Sequence, residues 1–264
     1  MSAIKDTWRK PPFISSPIVR YGFYAAVAIY FVVTIATLPI DWARVSDGMT
    51  RAQRIFSGAF PPSFERSGLL IDGFLESLKI AILATVGGIA ISVPLAFMAA
   101  SNISIRPIYL LGRGIIIVAR SFHPVIVAII FVKAVGFGPF AGALTLVVYS
   151  VGFVAKLLAE RIEEIDFGQV EAMRSAGAGF IATLAYAVMP QIMPRLVGLG
   201  IYQLDSNLRA SAVVGIVGAG GIGATLANAF GRYDYDFALA ITMVIVGVIL
   251  VSEAVSGFIR KRIA

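Results

Sequence analysis

The sequence predicts an all-α fold, a polytopic transmembrane helical bundle of about six spans. Three observations predict it. Of the 264 residues, 58% are hydrophobic and only 14% are charged, with a mean hydropathy of +0.88. Apolar runs of spanning length recur along the whole chain. Cysteine is absent and His123 is the single histidine, which excludes a disulfide framework, a thiolate metal site and a His-rich metal cluster.

Taken in order, the spans fall near 18–38, 73–100, 108–132, 139–158, 192–217 and 237–259. The first follows Lys5, Arg9, Lys10 and Arg20 as a secretory signal would. It is too long for a signal core and lacks a small-x-small site before Pro39 and Asp41, so it reads as a retained span. The segment from Pro39 to Ile71, with Pro61-Pro62 and four basic residues, reads as an ordered surface loop or short interfacial helices. Residues 1–72 thus form an N-terminal tail, first span and outer loop. Residues 73–264 form the main transmembrane domain, with a cytoplasmic loop at 159–191. With the N-terminus inside, the cytoplasmic segments collect 13 Lys and Arg against 6 outside, which predicts that both termini are cytoplasmic. The net charge of +7 is then topology and a basic cytoplasmic face, with no nucleic-acid partner.

Within that loop Asp166-Phe-Gly-Gln169 has the form of a capping box, in which Asp166 accepts from free amides and Gln169 reaches back. Val170 to Ala176 are good helix formers, and Gly177-Ala178-Gly179 ends or bends the helix. Periodicity alone fits an interfacial amphipathic helix as well as a docking helix. Spacing adds a second signal. Glu171-Ala172, Gly177 six residues after the Glu, and Pro190 thirteen after the Gly resemble the EAA loop of ABC importer permeases. Met173 stands where that loop has a second Ala, and Met189 where it has Leu before Pro. The resemblance implies that Asp166, Gln169, Val170, Glu171, Ala172, Met173, Arg174, Gly177 and Ala178 dock a cytoplasmic ATPase subunit. The chain has no G-x-x-x-x-G-K-[ST] of its own, so ATP and Mg would be bound by that partner, with no cofactor here and no enzyme activity in this chain.

Val135-Gly-Phe-Gly-Pro-Phe-Ala-Gly142, Lys156-Leu-Leu-Ala-Glu-Arg-Ile-Glu-Glu164, Tyr202-x4-Asn207-Leu-Arg-Ala-Ser211 and Gly218-Ala-Gly-Gly-Ile-Gly223 together resemble the PhnE-type permeases of phosphonate importers, from about residue 73 onward. That resemblance implies a type I ABC importer permease fold in the bacterial inner membrane. It also implies a second copy of the chain, two ATPases and a periplasmic phosphonate-binding protein as partners. Phosphite, methionine or another small solute is the alternative cargo, and an ion-coupled secondary transporter the alternative class.

Ionisable groups inside spans are candidate pathway residues. Arg120, His123 and Pro124 fall within the third predicted span, and Asp205, Asn207 and Arg209 within the fifth. Two readings stand for the charges: Asp205 and Arg209 neutralise each other one turn apart while Arg120 snorkels, or the cations line a path for an anion. Gly218-x-Gly220-Gly221-x-Gly223 satisfies a dinucleotide fingerprint, but its flanks are membrane spans. Gly220 and Gly221 read instead as a tight turn or gate at a span end.

Overall fold

The computed structural model describes residues 16–39 and 41–263, with side chains described through residue 259. Lys5, Arg9 and Lys10, and the side chains of Arg260, Lys261 and Arg262, lie outside the described residues. Two compact units meet between Arg54 and Ile55.

The first unit holds α1 (Pro17–Thr37) and most of α2 (Trp42–Ala59). At 21 residues, α1 is long and apolar enough to cross a membrane. Near its end Thr34 and Thr37 donate their hydroxyls to the Tyr30 and Val33 carbonyls. The segment expected as a loop or short helices contains one 18-residue helix, α2, because its apolar residues recur at helical spacing and no proline interrupts them.

The second unit is built around α3 (Ser67–Met98) and α6 (Pro139–Glu163), packed closely through small residues. A Cβ at Gly88 would fall on that of Ser150. The remaining elements are α4 (Arg106–Ser121), α5 (Pro124–Val135), α7 (Phe167–Ser175), α8 (Phe180–Thr183), α9 (Met189–Val214), α10 (Gly221–Gly231) and α11 (Tyr235–Ile263). A π-helical turn at Leu184–Val188 fuses α8 to α9, and the stretch Gly215–Ala219 after α9 ends in a kink at Val217 and Gly218, where Gly218 takes φ +94°. Among the described residues, five helical segments are long and apolar enough to cross a membrane, six if α4 and α5 count as one broken span.

Three expected boundaries differ. The span expected at 108–132 is two helices bent by 91°. His123 precedes a proline and takes an extended conformation (φ −70°, ψ 139°), and Pro124 has no amide to continue the ladder of α4. The fifth span starts at Phe180, not near 192. The loop expected at 159–191 therefore ends earlier: Pro190 occupies the first turn of α9, and the π turn ahead of it widens the helix to take the ring. The glycine-rich segment after Val217 is a corner followed by a helix, α10, because only its first glycines hold positive φ.

Three apolar clusters fill this unit. One, at the end that carries α7, joins Ala99, Leu158, Ile162, Val170, Val188 and Ile192. Another centres on Ile80, Leu146 and Val214, and the third joins Leu70, Ile222, Phe237 and Ile241 near the opposite end.

Candidate functional site

Helix α7 is short, so its ends decide whether it forms. Asp166 caps it, its Oδ1 accepting from Gly168 N at 3.0 Å. The other half of the expected capping box is absent: Gln169 is exposed, and the Asp166 amide donates instead to Gln191 Oε1 on α9 at 2.9 Å. Gln191 Nε2 also donates to the Asp166 carbonyl (3.2 Å) and to the Ala187 carbonyl in the π turn (2.8 Å). One side-chain amide thereby ties the start of α7 to the start of α9, within the following span.

The C-terminus closes as a Schellman motif, with Gly177 N donating to the Arg174 carbonyl (2.9 Å) and Ala178 N to the Met173 carbonyl (3.0 Å). Gly177 sits at φ +81°, a conformation that costs any other L-residue roughly 1–2 kcal/mol. Val170 alone among the residues of α7 is buried, seated against the cluster of Ala99, Ile162 and Val188. Glu171, Ala172 and Arg174 are exposed, with the Arg174 guanidinium 5.8 Å from the Phe167 ring centre. The result is a capped helix with one anchor inward and an acid, a base and a small residue outward.

A polar groove runs along the same unit. At the α4–α5 break Arg120, His123 and Pro124 meet Tyr149 and Phe153 of α6 around a cavity of about 420 Å³. His123 caps α5, its Nδ1 accepting from Val125 N at 3.3 Å. Phe153 is also a wall of a second cavity, about 780 Å³, with Glu160, Arg161, Glu164, Arg195 and Tyr202. Its ring stacks on that of Tyr202 with centroids 5.4 Å apart. Lys156 pairs with Glu160 and Arg161 with Glu164. Arg120 and Arg195 make no ion pair among the described residues. Arg120 lies at the wall of the first of these cavities and Arg195 at that of the second.

The polar residues expected together in α9 fall into two arrangements. Asp205 and Arg209 pair at 2.9 Å, and Ser252 of α11 donates to Asp205 at 2.5 Å. The Asp205 side chain is 11% exposed and that of Arg209 51%. Arg195, Tyr202 and Arg209 share one face of α9, since they are spaced by whole turns. Asn207 faces the other way and is fully enclosed. It donates to Thr85 and Ser150 (2.9 Å each) and accepts from Gln203 (3.0 Å), tying α3, α6 and α9 together.

Gly220 (φ +79°) and Gly221 (φ +74°) are buried at the far end of α9. A Cβ at Gly220 would meet the Pro139 backbone and Glu76 Oε1, and one at Gly221 would meet Ser77 Oγ. Ser77 Oγ accepts from Ile222 N at 2.9 Å, and Gly138 N donates to the Gly218 carbonyl at 3.0 Å. The four-glycine fingerprint is therefore a close-packed corner between helices. Sequence reasoning missed Gln191, Arg195, Tyr149, Phe153 and Glu76. Their one available signal was polarity or aromaticity within an apolar run, and periodicity cannot say which face of a buried helix meets a groove.

Residues 92–264 match the family described as binding-protein-dependent transport system inner membrane component. The phosphate-import permease protein PhnE of Mycolicibacterium smegmatis is 39% identical over 93% of this chain, which spans about half (47%) of that relative's length. The phosphite transport system permease protein PtxC of Stutzerimonas stutzeri is 37% identical over 84% of this chain and 82% of its own. An inward-facing structure of the MetNI methionine ABC transporter superposes with a TM-score of 0.66 at 22% identity, over 76% of this chain and 99% of that one. The helical fold, the matched residues and these likenesses agree: the chain belongs to the family of binding-protein-dependent transport system inner membrane components.

Proposed function

We propose that this chain is the membrane-spanning permease subunit of an ATP-driven importer for phosphonate or a related phosphorus oxyanion. The observation that carries the reading is the union of an outward-facing Glu171-Ala172 helix, tied by Gln191 to α9, with a cation-bearing groove lined by that same α9. The substrate class is supported by relatives named for phosphate and phosphite import.

In this reading the α7 end faces the cytoplasm, both termini are cytoplasmic, and the membrane is the bacterial inner membrane. Two copies of the chain surround the path, and two ATPases, which hold ATP and Mg, receive the α7 helices. A periplasmic phosphonate-binding protein delivers the cargo. The chain itself hydrolyses nothing. Closure of the ATPases draws the α7 helices together; Val170 and Gln191 pass that movement to the α6 and α9 ends, and the groove opens outward. Hydrolysis resets it. Arg120 and Arg195 lower the electrostatic barrier to a dianion crossing an otherwise apolar interior, while binding weak enough to permit release leaves selectivity mostly to the binding protein.

The test is uptake of labelled methylphosphonate by cells lacking their own system and expressing this chain with its cognate ATPase and binding protein. ATP-dependent uptake competed by phosphonate and not by methionine is expected. Uptake competed only by phosphite or phosphate transfers the cargo within the oxyanion class. Uptake that persists without the ATPase would sink the importer reading in favour of an ion-coupled carrier.

A further inference from the structure

We infer that α2 lies flat in the headgroup region of the bilayer, its apolar face in the lipid and its charged face toward water. Trp42, Val45, Met49, Ala52 and Phe56 recur at intervals of three and four and share one face of the helix. Arg44, Asp47, Arg51 and Arg54 occupy the opposite face. The large apolar side chains are uncovered, at 74% exposure for Trp42, 51% for Val45, 72% for Met49 and 69% for Phe56. Such a face needs an apolar medium against it.

Position supplies the medium. Helix α1, long and apolar enough to cross the membrane, ends at Thr37, and α2 begins at Trp42. The intervening chain reaches at most roughly 18 Å when fully extended, so α2 starts at the membrane surface whichever way α1 points. It cannot cross back, because its 18 residues include Arg44, Asp47, Arg51 and Arg54. A tryptophan at its first position suits the interface, where an indole sits between acyl chains and headgroups. Arg44 already pairs with Asp41 at 3.2 Å on the charged side, and Ser46 and Thr50 turn their hydroxyls back onto the Ala43 and Ser46 carbonyls. These residues are an amphipathic membrane-surface helix by chemistry. The segment lies ahead of residues 92–264, which match the family. The inference rests on α1 spanning the membrane and is independent of cargo and of the ATPase.

The chain contains no cysteine, so single cysteines can be placed at positions 45, 47, 49, 51, 52 and 56 of the full protein without altering its background. Nitroxide labels at these positions, in nanodiscs of phosphatidylethanolamine and phosphatidylglycerol, would be measured for collision with oxygen and with a water-soluble nickel chelate. The expected result is a helical oscillation: oxygen favoured several-fold at 45, 49, 52 and 56, and the chelate favoured at 47 and 51. Equal access of the chelate to both faces overturns the inference. Labels at 45, 49 and 56 shielded from both reagents overturn it too, assigning that face to a protein surface. Repeating the measurement with the double substitution Val45→Asp and Met49→Asp should lift the apolar face into water, giving chelate access at 52 and 56. Unchanged oxygen access there would contradict a lipid-seated face.

Discussion

At the scale of single residues, the two ends of α7 make opposite demands. Gly177 holds a left-handed conformation that alanine adopts at a cost of roughly 1–2 kcal/mol. Gly177→Ala is therefore expected to fray the helix and lower uptake several-fold while the protein still inserts, as read by transport against membrane-fraction abundance. Undiminished uptake would mean that the C-cap is not needed for docking. Asn207 illustrates the other kind of polar residue, one that holds helices together. Its amide joins Thr85, Ser150 and Gln203, and hydrogen bonds of this kind between membrane helices contribute about 1 kcal/mol. Asn207→Ala should lower the denaturation temperature in detergent. Arg209→Ala should lower it less, because Arg209 is half exposed and Asp205 retains Ser252.

Individual elements are governed by prolines and glycines. The α4–α5 bend puts Arg120 and His123 at a cavity wall. Pro124→Ala restores an amide that α4 can use, and is expected to straighten the pair and reduce transport with little loss of stability. A nitroxide distance between positions 110 and 132 should lengthen; an unchanged distance would place the cause of the bend elsewhere. In the α9–α10 hairpin a Cβ at Gly223 would fall on the Ala212 carbonyl oxygen, which is backbone and cannot yield. Gly223→Ala should lower the amount of folded protein recovered from membranes, whereas Gly114→Ala, where a Cβ meets nothing within 4 Å, should not.

For the whole molecule, the all-helical class, the recurrence of spanning helices and the capped helix α7 were legible in the chain. Apolar runs of twenty residues have one stable solution in lipid, because every backbone amide must be paired within its own segment. The loop was legible because Asp166, Glu171, Gly177 and Pro190 are local signals at fixed spacing. The groove was not. Arg195 reads as one more basic residue near a span end, and Tyr149 and Phe153 read as ordinary members of an apolar helix; what sets them apart is that α4, α6 and α9 leave a concavity there.

By itself, then, the sequence determined that the chain crosses the membrane as helices and carries a capped helix in a polar loop between two of them, since hydropathy and capping act over a few residues. Tertiary structure decided that Gln191 and not Gln169 completes the cap of Asp166, and that Asn207 is enclosed while Arg209 is open. Each of these depends on which face of one helix meets another, a choice made by close packing across tens to more than a hundred residues of separation, which no local pattern encodes.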